Sequence, residues 1–382
     1  MKILHLISDH QVVERTLGVY ENIFPDCNDV LVFSNDSNFK RLKKDYRDRI
    51  VNKNNLTTIA NNYDFSDVTY VIAHYLTMEK IDFIKLIPYN IHVCWEIYGG
   101  DLYDQFLEPG GYKMYYTSPL DFDKYGFYKK HLLFIFNCAL YIKYRNKYIF
   151  RHQLNKQFDY ISGRVNSLQY CCKYDASFVE EHAHRSIHSY EVFNYSLSTV
   201  LGELKDVDFY EGSDIMVGNS ASFSNNHLYV MNYLKKISLP QNLKYILPLS
   251  YGGNQRYAEY VERIYKSVFD TQIETFRQYI PLHEYNKTFL RLKAVILSSW
   301  RQESQGTAIM AFYLGLKVFM SYKSPLYKWF VECGFIVFTI ENANANDFVE
   351  SLSIDDKKKN RELVLNRYSE SCIVDTFKKE FL

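Results

Sequence analysis

The sequence has no run of about 20 apolar residues, so no membrane-spanning helix is expected. It has almost no net charge: 45 Lys and Arg against 44 Asp and Glu leave +1 at pH 7. No global field therefore selects nucleic acid or an acidic partner, and any basic surface must be local. The seven cysteines are odd in number, form no C-x-x-C pair and match no zinc spacing. Free thiols in a reducing compartment fit that usage. The amino end, MKILHLISDHQ, carries an apolar run too short for a secretion signal, with no small-residue cleavage site after it. No DxD falls in a strand-end loop, no solenoid-period repeat occurs, and no segment is of low complexity. These absences predict a protein of the cytoplasm, or one held on the cytoplasmic face of a membrane.

What is present is a folded chain. Its 382 residues suggest two domains. Hydrophobic residues are 47% and charged residues 23%, enough to bury sizeable cores. Tyrosine, at 35 residues beside 27 phenylalanines, is frequent; sugar binding and a biased genome composition both account for it.

One stretch, AVILSSWRQESQGTAIMAFYLGLKVFM, organises the rest. Ala294–Leu297 suits a buried strand. A polar elbow, Ser298 to Gly306, follows. Thr307 then opens a helix with apolar Ile309, Met310, Phe312, Tyr313 and Leu314, ended by Gly315, and Leu316–Met320 returns as a strand. In open α/β sheets ligands bind at such strand-to-helix turns. A helix amino end offers N–H groups to phosphate, Gly306 permits close backbone approach, and Arg301 adds a cation.

Similar units recur along the chain. Strands are predicted at Lys2–Ile7, Asp29–Phe33, Leu56–Ala60, Thr69–Ala73, Asn90–Cys94, Asp159–Gly163 and Leu168–Cys172. Ser196–Ser213 reads as a linker. After it come strands at Asp214–Val217, Lys244–Leu247, Gln272–Phe276 and Phe335–Phe338, with helices between them and Ser224 as N-cap of a helix through Lys236. The alternation predicts an α/β chain of two Rossmann-like domains facing a central cleft: residues 1–195, a linker at 196–213, 214–360, and a helical tail over 361–382.

Residues 112–157 differ. Lys124, Lys129, Lys130, Lys143, Arg145, Lys147, Arg151 and Lys156 surround an apolar core, Leu132–Ile142, with tyrosines and phenylalanines interleaved. Two readings fit: an interfacial helix on an anionic membrane surface, or a buried helix joined to a solvated basic one. RNA binding finds no wider support in a neutral chain.

Four strand-end loops resemble one family. VGNSASFSNNH, Val217–His227, resembles VGNS-x-x-x-SN-x-H through Gly218, Asn219, Ser220, Ser224, Asn225 and His227, with Asn226 where the family has aspartate. LPLSYGGN matches a P-x-x-Y-x-x-N loop at Pro248, Tyr251 and Asn254. Arg301, Gln302, Gly306 and Thr307 match an R-Q…G-T elbow, with Glu303, Ser304 and Gln305 differing. WEIYGGDLY, Trp95 to Tyr103, resembles W-x-x-W/Y-G-x-D-L-Y, and Ser8-Asp9 falls where the family has Ser-Asp. The family is glycosyltransferase family 56, the TDP-N-acetylfucosamine:lipid-linked N-acetylfucosaminyltransferases, also called 4-alpha-L-fucosyltransferases. The resemblance implies a GT-B fold, with residues 1–195 as acceptor domain and 214–360 as donor domain. It implies a TDP-sugar donor, a lipid-linked glycan acceptor, and a peripheral position on the inner face of the cytoplasmic membrane.

On that reading Asn219, Ser220, Ser224, Asn225, Tyr251, Arg301, Gln302, Glu303, Gly306 and Thr307 bind the donor. Arg301 meets the diphosphate, Tyr251 stacks on base or sugar, and Glu303 contacts sugar hydroxyls by analogy with other GT-B enzymes. Each residue also suits ordinary loop hydrogen bonding. Asp101 and Asp9 are the candidate catalytic bases, Asp101 being equally suited to a helix N-cap; His227 and His74 are weaker alternatives. A retaining enzyme needs no such base. No cofactor or metal is expected, and His182, His184 and His188 lack a carboxylate pattern. The rival readings are a sugar-nucleotide epimerase or hydrolase on the same fold, and a non-catalytic membrane-surface scaffold.

Overall fold

The computed structural model describes residues 1–9, 13–36, 38–39, 42, 46–119, 122, 145–193, 196–237, 239–240, 243–278 and 280–382. The apolar core 132–142 and most of the basic segment expected at the membrane lie outside these residues. No described helix is long and apolar enough to cross a membrane.

The chain forms two compact units. The first contains Met1–Tyr112, Lys147–Ser196 and Glu370–Leu382; the second contains Leu197–Ser369 and the described part of Lys113–Asn146. Each is built on a parallel sheet. In the first unit these are β1 (Lys2–Ile7), β2 (Asn28–Phe33), β3 (Ile50–Val51), β4 (Val68–His74), β5 (His92–Glu96), β6 (Ser167–Tyr170) and β7 (His188–Glu191), in the order β3-β2-β1-β4-β5-β6-β7. In the second they are β8 (Asp214–Val217), β9 (Tyr245–Pro248), β10 (Ile273–Phe276), β11 (Leu292–Leu297), β12 (Lys317–Met320) and β13 (Phe338–Thr339), in the order β10-β9-β8-β11-β12-β13. Short apolar runs such as Ala294–Leu297 are buried throughout, as strands covered on both faces must be.

The strand order reverses direction once in each sheet, between β1 and β4 and between β8 and β11. Loops leaving neighbouring strands there diverge to opposite faces and leave a crevice at the carboxyl edge. The loops carrying the family-like motifs leave β8, β9 and β11 in the second sheet and β5 in the first.

Several elements depart from the sequence reading. Leu56–Ala60 is part of a helix, Leu56–Asn62. Its buried Leu56 and Ala60 sit four apart, a helical rather than a strand spacing. Asp159–Gly163 lies in the helix Arg145–Arg164, with Phe158, Ile161 and Val165 buried at helical intervals. The 196–213 stretch contains a helix, Leu197–Leu201, and a short turn, Gly202–Asp206. The end of that helix is pinned by the Asn286 amide, which donates to the Val200 and Leu201 carbonyls at 3.2 and 3.1 Å. The tail is divided: Ile354–Tyr368 packs with the second unit, and Glu370–Phe381 with the first, stacking Phe377 on Tyr20.

Candidate active site

The carboxyl edge of the second sheet collects the motif residues. Leaving β8, Gly218 has φ +70°, and a Cβ there would meet His227 Nε2 at 2.8 Å and Asn225 Oδ1 at 2.9 Å. Only glycine fits that approach. Asn225 Oδ1 accepts the Asn219 N–H at 3.1 Å, and its amide donates to Ser220 Oγ at 3.0 Å. Ser220 and Asn225 are thus buried struts that shape the loop. Asn219 is half-buried; its Oδ1 has no partner, while its amide lies 3.5 Å from the Tyr251 hydroxyl. The loop after β9 is seated against it. The Tyr251 carbonyl accepts Ala221 N–H at 2.7 Å, and a Cβ on Gly253 would fall 1.8 Å from the Ala221 carbonyl. The Tyr251 ring stays 54% exposed, available for stacking.

The elbow after β11 closes on the same loop. Glu303 Oε2 accepts from Ser224 Oγ, from Ser299 Oγ at 3.2 Å and from Arg301 Nε at 3.3 Å. One carboxylate oxygen therefore joins the β8 and β11 loops and orients the Arg301 guanidinium. Ser224, expected as an N-cap, sits instead in a tight turn, Phe223–Asn225, and the helix begins later, as His227–Leu234. Ser304 has φ +69° and opens the helix Gln305–Tyr313; its hydroxyl is buried with no partner. Gly306 is half-buried in the first turn, whereas Gln302 and Thr307 are buried. Asn219, Tyr251, Arg301, Glu303 and Gly306 line the accessible edge, and Ser220, Ser224, Asn225, Gln302 and Thr307 lie behind it.

Sequence reasoning passed over two features here. Asn226 has φ +51°. Its amide donates to the Ser298 and Met114 carbonyls at 3.1 and 3.2 Å, and its Oδ1 accepts the Tyr116 N–H at 2.7 Å. The departure from aspartate was the available signal: a carboxylate cannot donate to two carbonyls. Asn226→Asp is expected to destabilise the second unit by about 2 kcal/mol or more, because it buries a charge against carbonyl oxygens. Urea denaturation followed at Trp300 measures this, and an unchanged midpoint would refute it. The second feature is Lys323, whose Nζ lies 4.1 Å from the Trp300 ring centroid and 5.3 Å from that of Tyr229.

In the first unit, the two expected bases, Asp101 and Asp9, both accept backbone hydrogen bonds. Asp101 is fully buried. Its Oδ2 accepts Leu76 N–H at 3.0 Å and Trp95 Nε1–H at 2.7 Å, and its Oδ1 accepts Tyr98 N–H at 3.0 Å. Burial raises its carboxyl to about 6, with those hydrogen bonds acting the other way. It lies inside a short helix, Gly100–Leu102, and not at its cap. Asp101 thus ties the loops after β4 and β5 together. Asp9 Oδ1 accepts the Leu42 N–H at 2.9 Å. His227 is fully buried against the Tyr257 hydroxyl at 3.2 Å, and desolvation lowers its pKa to about 3, so it is a neutral packing histidine. His182 pairs with Asp159 and His188 with Glu380, as separate surface contacts. Among the described residues no group of three His, Cys, Asp or Glu side chains is placed to hold a metal.

Solved structures with the same architecture include HepE from Anabaena in complex with UDP and glucose (TM-score 0.64, 11% identity, 100% of this chain and 99% of that one). Others are sucrose-phosphate synthase from Thermosynechococcus elongatus (0.62, 9%, 100% and 98%) and the lipopolysaccharide outer core galactosyltransferase WaaB (0.57, 11%, 99% and 98%). No curated protein sequence matches the chain. Two parallel-sheet units with polar loops at their switch points make up the GT-B fold. Residues 133–360 match the 4-alpha-L-fucosyltransferase family, glycosyltransferase group 56, and the chain belongs to that family.

Proposed function

We propose that the enzyme transfers an N-acetylfucosamine-like deoxy-amino sugar from a TDP-sugar to a lipid-linked glycan acceptor, at the cytoplasmic face of an anionic membrane, in bacterial surface polysaccharide synthesis. The observation that carries this reading is the junction of the β8 and β11 loops through Ser224, Glu303, Ser299 and Arg301. It sets a cation, hydroxyls and a helix amino end at one switch point, the combination a leaving nucleoside diphosphate requires. Arg301 stabilises the diphosphate and Tyr251 stacks on base or sugar. Glu303, already bound to hydroxyls, accepts sugar hydroxyls by exchange. Asn219, through its amide beside Tyr251, and Gly306 complete the donor contacts; Ser220, Ser224, Asn225, Gln302 and Thr307 hold them in place. The UDP and UDP-glucose complexes of HepE support a nucleotide-sugar donor of this general class.

The donor elbow works by N–H groups, hydroxyls and an arginine, so binding is expected to be independent of Mg²⁺. A thermal-shift panel of TDP, UDP, GDP and CMP, with and without Mg²⁺, tests this. A metal-independent shift with TDP is expected. A shift with GDP or UDP alone would move the donor away from TDP-sugars. No shift with any nucleotide would favour a non-catalytic scaffold.

A further inference from the structure

Four neighbouring strands of the first sheet carry a continuous polar line through an otherwise apolar core. Asn28 on β2, His5 on β1, His74 on β4 and Glu96 on β5 cross the point where the strand order reverses. His5, His74 and Glu96 are fully buried, and His74 and Glu96 are register partners at the carboxyl edge.

The hydrogen bonds fix the polarity of this line. The Asn28 amide donates to Glu21 Oε2 at 2.9 Å and to the Phe24 carbonyl at 2.7 Å, which turns its Oδ1 toward His5. His5 Nε2 must then donate to that oxygen, at 3.0 Å. His5 Nδ1 is left as acceptor, so His74 Nε2 donates to it, at 2.8 Å. His74 Nδ1 therefore keeps its lone pair, with Glu96 Oε2 at 2.5 Å in a close contact that lacks hydrogen-bond geometry and the Tyr98 hydroxyl at 3.5 Å. Two acceptors in such close contact require a proton on one of them, and both Glu96 oxygens are otherwise buried with no hydrogen-bond partner.

The surroundings agree. Burial lowers both histidines to about 3, and burial raises Glu96 to about 8. Facing Glu96 are Tyr98 from its own loop and Lys80 from the helix Met78–Ile84, which both work to lower it. Tyr20 from the helix Val13–Ile23, Cys94 on β5 and Tyr190 on β7 stand nearby, kept neutral by burial. Lys80 is itself tied to the His74 and Tyr75 carbonyls. Such a buried polar line is a weak source of stability compared with well-packed apolar residues. Tyr98 is half-buried, lies 3.3 Å from the buried Thr16 Oγ1, and carries the line from the carboxyl end of β5 toward the surface.

We propose that this line is a proton relay for glycosyl transfer, in which Tyr98 contacts the acceptor hydroxyl and Glu96, aligned by His74, His5 and Asn28, receives its proton. The proposal rests on the transfer reaction above. The acceptor oxygen bonds to the anomeric carbon as the bond from that carbon to the diphosphate oxygen breaks. The electron pair leaves with the nucleoside diphosphate. The acceptor proton passes to the Tyr98 oxygen while the Tyr98 proton passes to ionised Glu96. Glu96 and the two histidines are positioning residues; Tyr98 alone meets substrate. A base titrating near the working pH suits this task.

Two measurements on the full chain test the relay. Long-range ¹H–¹⁵N spectra of ¹⁵N-histidine-labelled protein are expected to show His5 and His74 as neutral Nε2–H tautomers at pH 7. The His74 Nδ1 signal is expected to titrate near pH 8 in the wild type and not in Glu96→Gln. An Nδ1–H tautomer at His74 would overturn the proposal. In transfer assays from TDP-sugar to a lipid-linked acceptor, the wild-type rate is expected to rise with pH through about 8. Glu96→Gln, whose amide still donates to His74 Nδ1, is expected to lose about 10²-fold in kcat with KM little changed and a flat pH profile. Tyr98→Phe should lose a similar factor, and Glu96→Asp should recover part of the rate. A Glu96→Gln rate within threefold of wild type would sink the relay while leaving the transferase intact. If the wild type transfers no sugar from any nucleotide sugar, the functional reading falls and the relay with it.

Discussion

Arg301→Ala is expected to lower kcat/KM for sugar transfer by about 10²-fold or more, the usual cost of removing a preorganised group from a developing negative charge. Charge accumulates on the diphosphate as the glycosidic carbon separates from it. The guanidinium stands at the carboxyl end of β11 beside the amino end of the helix Gln305–Tyr313, oriented by Glu303 at 3.3 Å. Alanine removes the cation and leaves Glu303 bonded to Ser224 and Ser299 only. The neutral Arg301–Glu303 pair then becomes a lone carboxylate, and donor affinity should fall with the rate. Arg301→Lys keeps the charge but not the planar fork, so an intermediate loss is expected. Initial rates over a donor titration give both parameters. A wild-type rate in Arg301→Ala would remove the elbow from the diphosphate site.

Asp101→Ala should unfold the first unit's β4 and β5 loops, at a cost of about 3–5 kcal/mol. The substitution strands the Leu76 N–H, the Trp95 indole N–H and the Tyr98 N–H in a fully buried place. It also removes the charge that supports buried Lys80. Trp95 lies in the first unit and Trp300 and Trp329 in the second, so single-tryptophan variants separate the two transitions in urea. The first transition should move and the second should not. Asp101→Asn is milder in shape but sets an amide N–H against donors, and a smaller shift in the same direction is expected. If Asp101→Asn keeps wild-type stability and loses only turnover, Asp101 is a catalytic base after all.

The strength of the sequence lay in short apolar runs ending in polar loops. Ala294–Leu297, Asp214–Val217 and Lys2–Ile7 are strands because such runs are long enough for a buried strand and too short for a helix. Gly218, Asn219, Arg301 and Gly306 were legible as a group because parallel strands deliver their carboxyl ends to one edge. Reading failed where a run was short enough to serve either period. Leu56–Ala60 and Asp159–Gly163 each became helix once buried residues were seen three and four apart.

By itself, then, the sequence determined the α/β class, the two parallel sheets and the loops that stand at their switch points, since these follow from local patterning. Only the tertiary structure decided what each polar side chain does there. Asp101 and Glu96 are five residues apart in one loop motif, yet one carboxylate is surrounded by N–H donors and the other faces a histidine lone pair. Their partners, His74 and Leu76, come from the end of β4 and the loop after it, and His74 owes its orientation to Asn28, two strands further away. Hydrogen-bond polarity depends on neighbours brought in from distant sequence, so no local pattern encodes it.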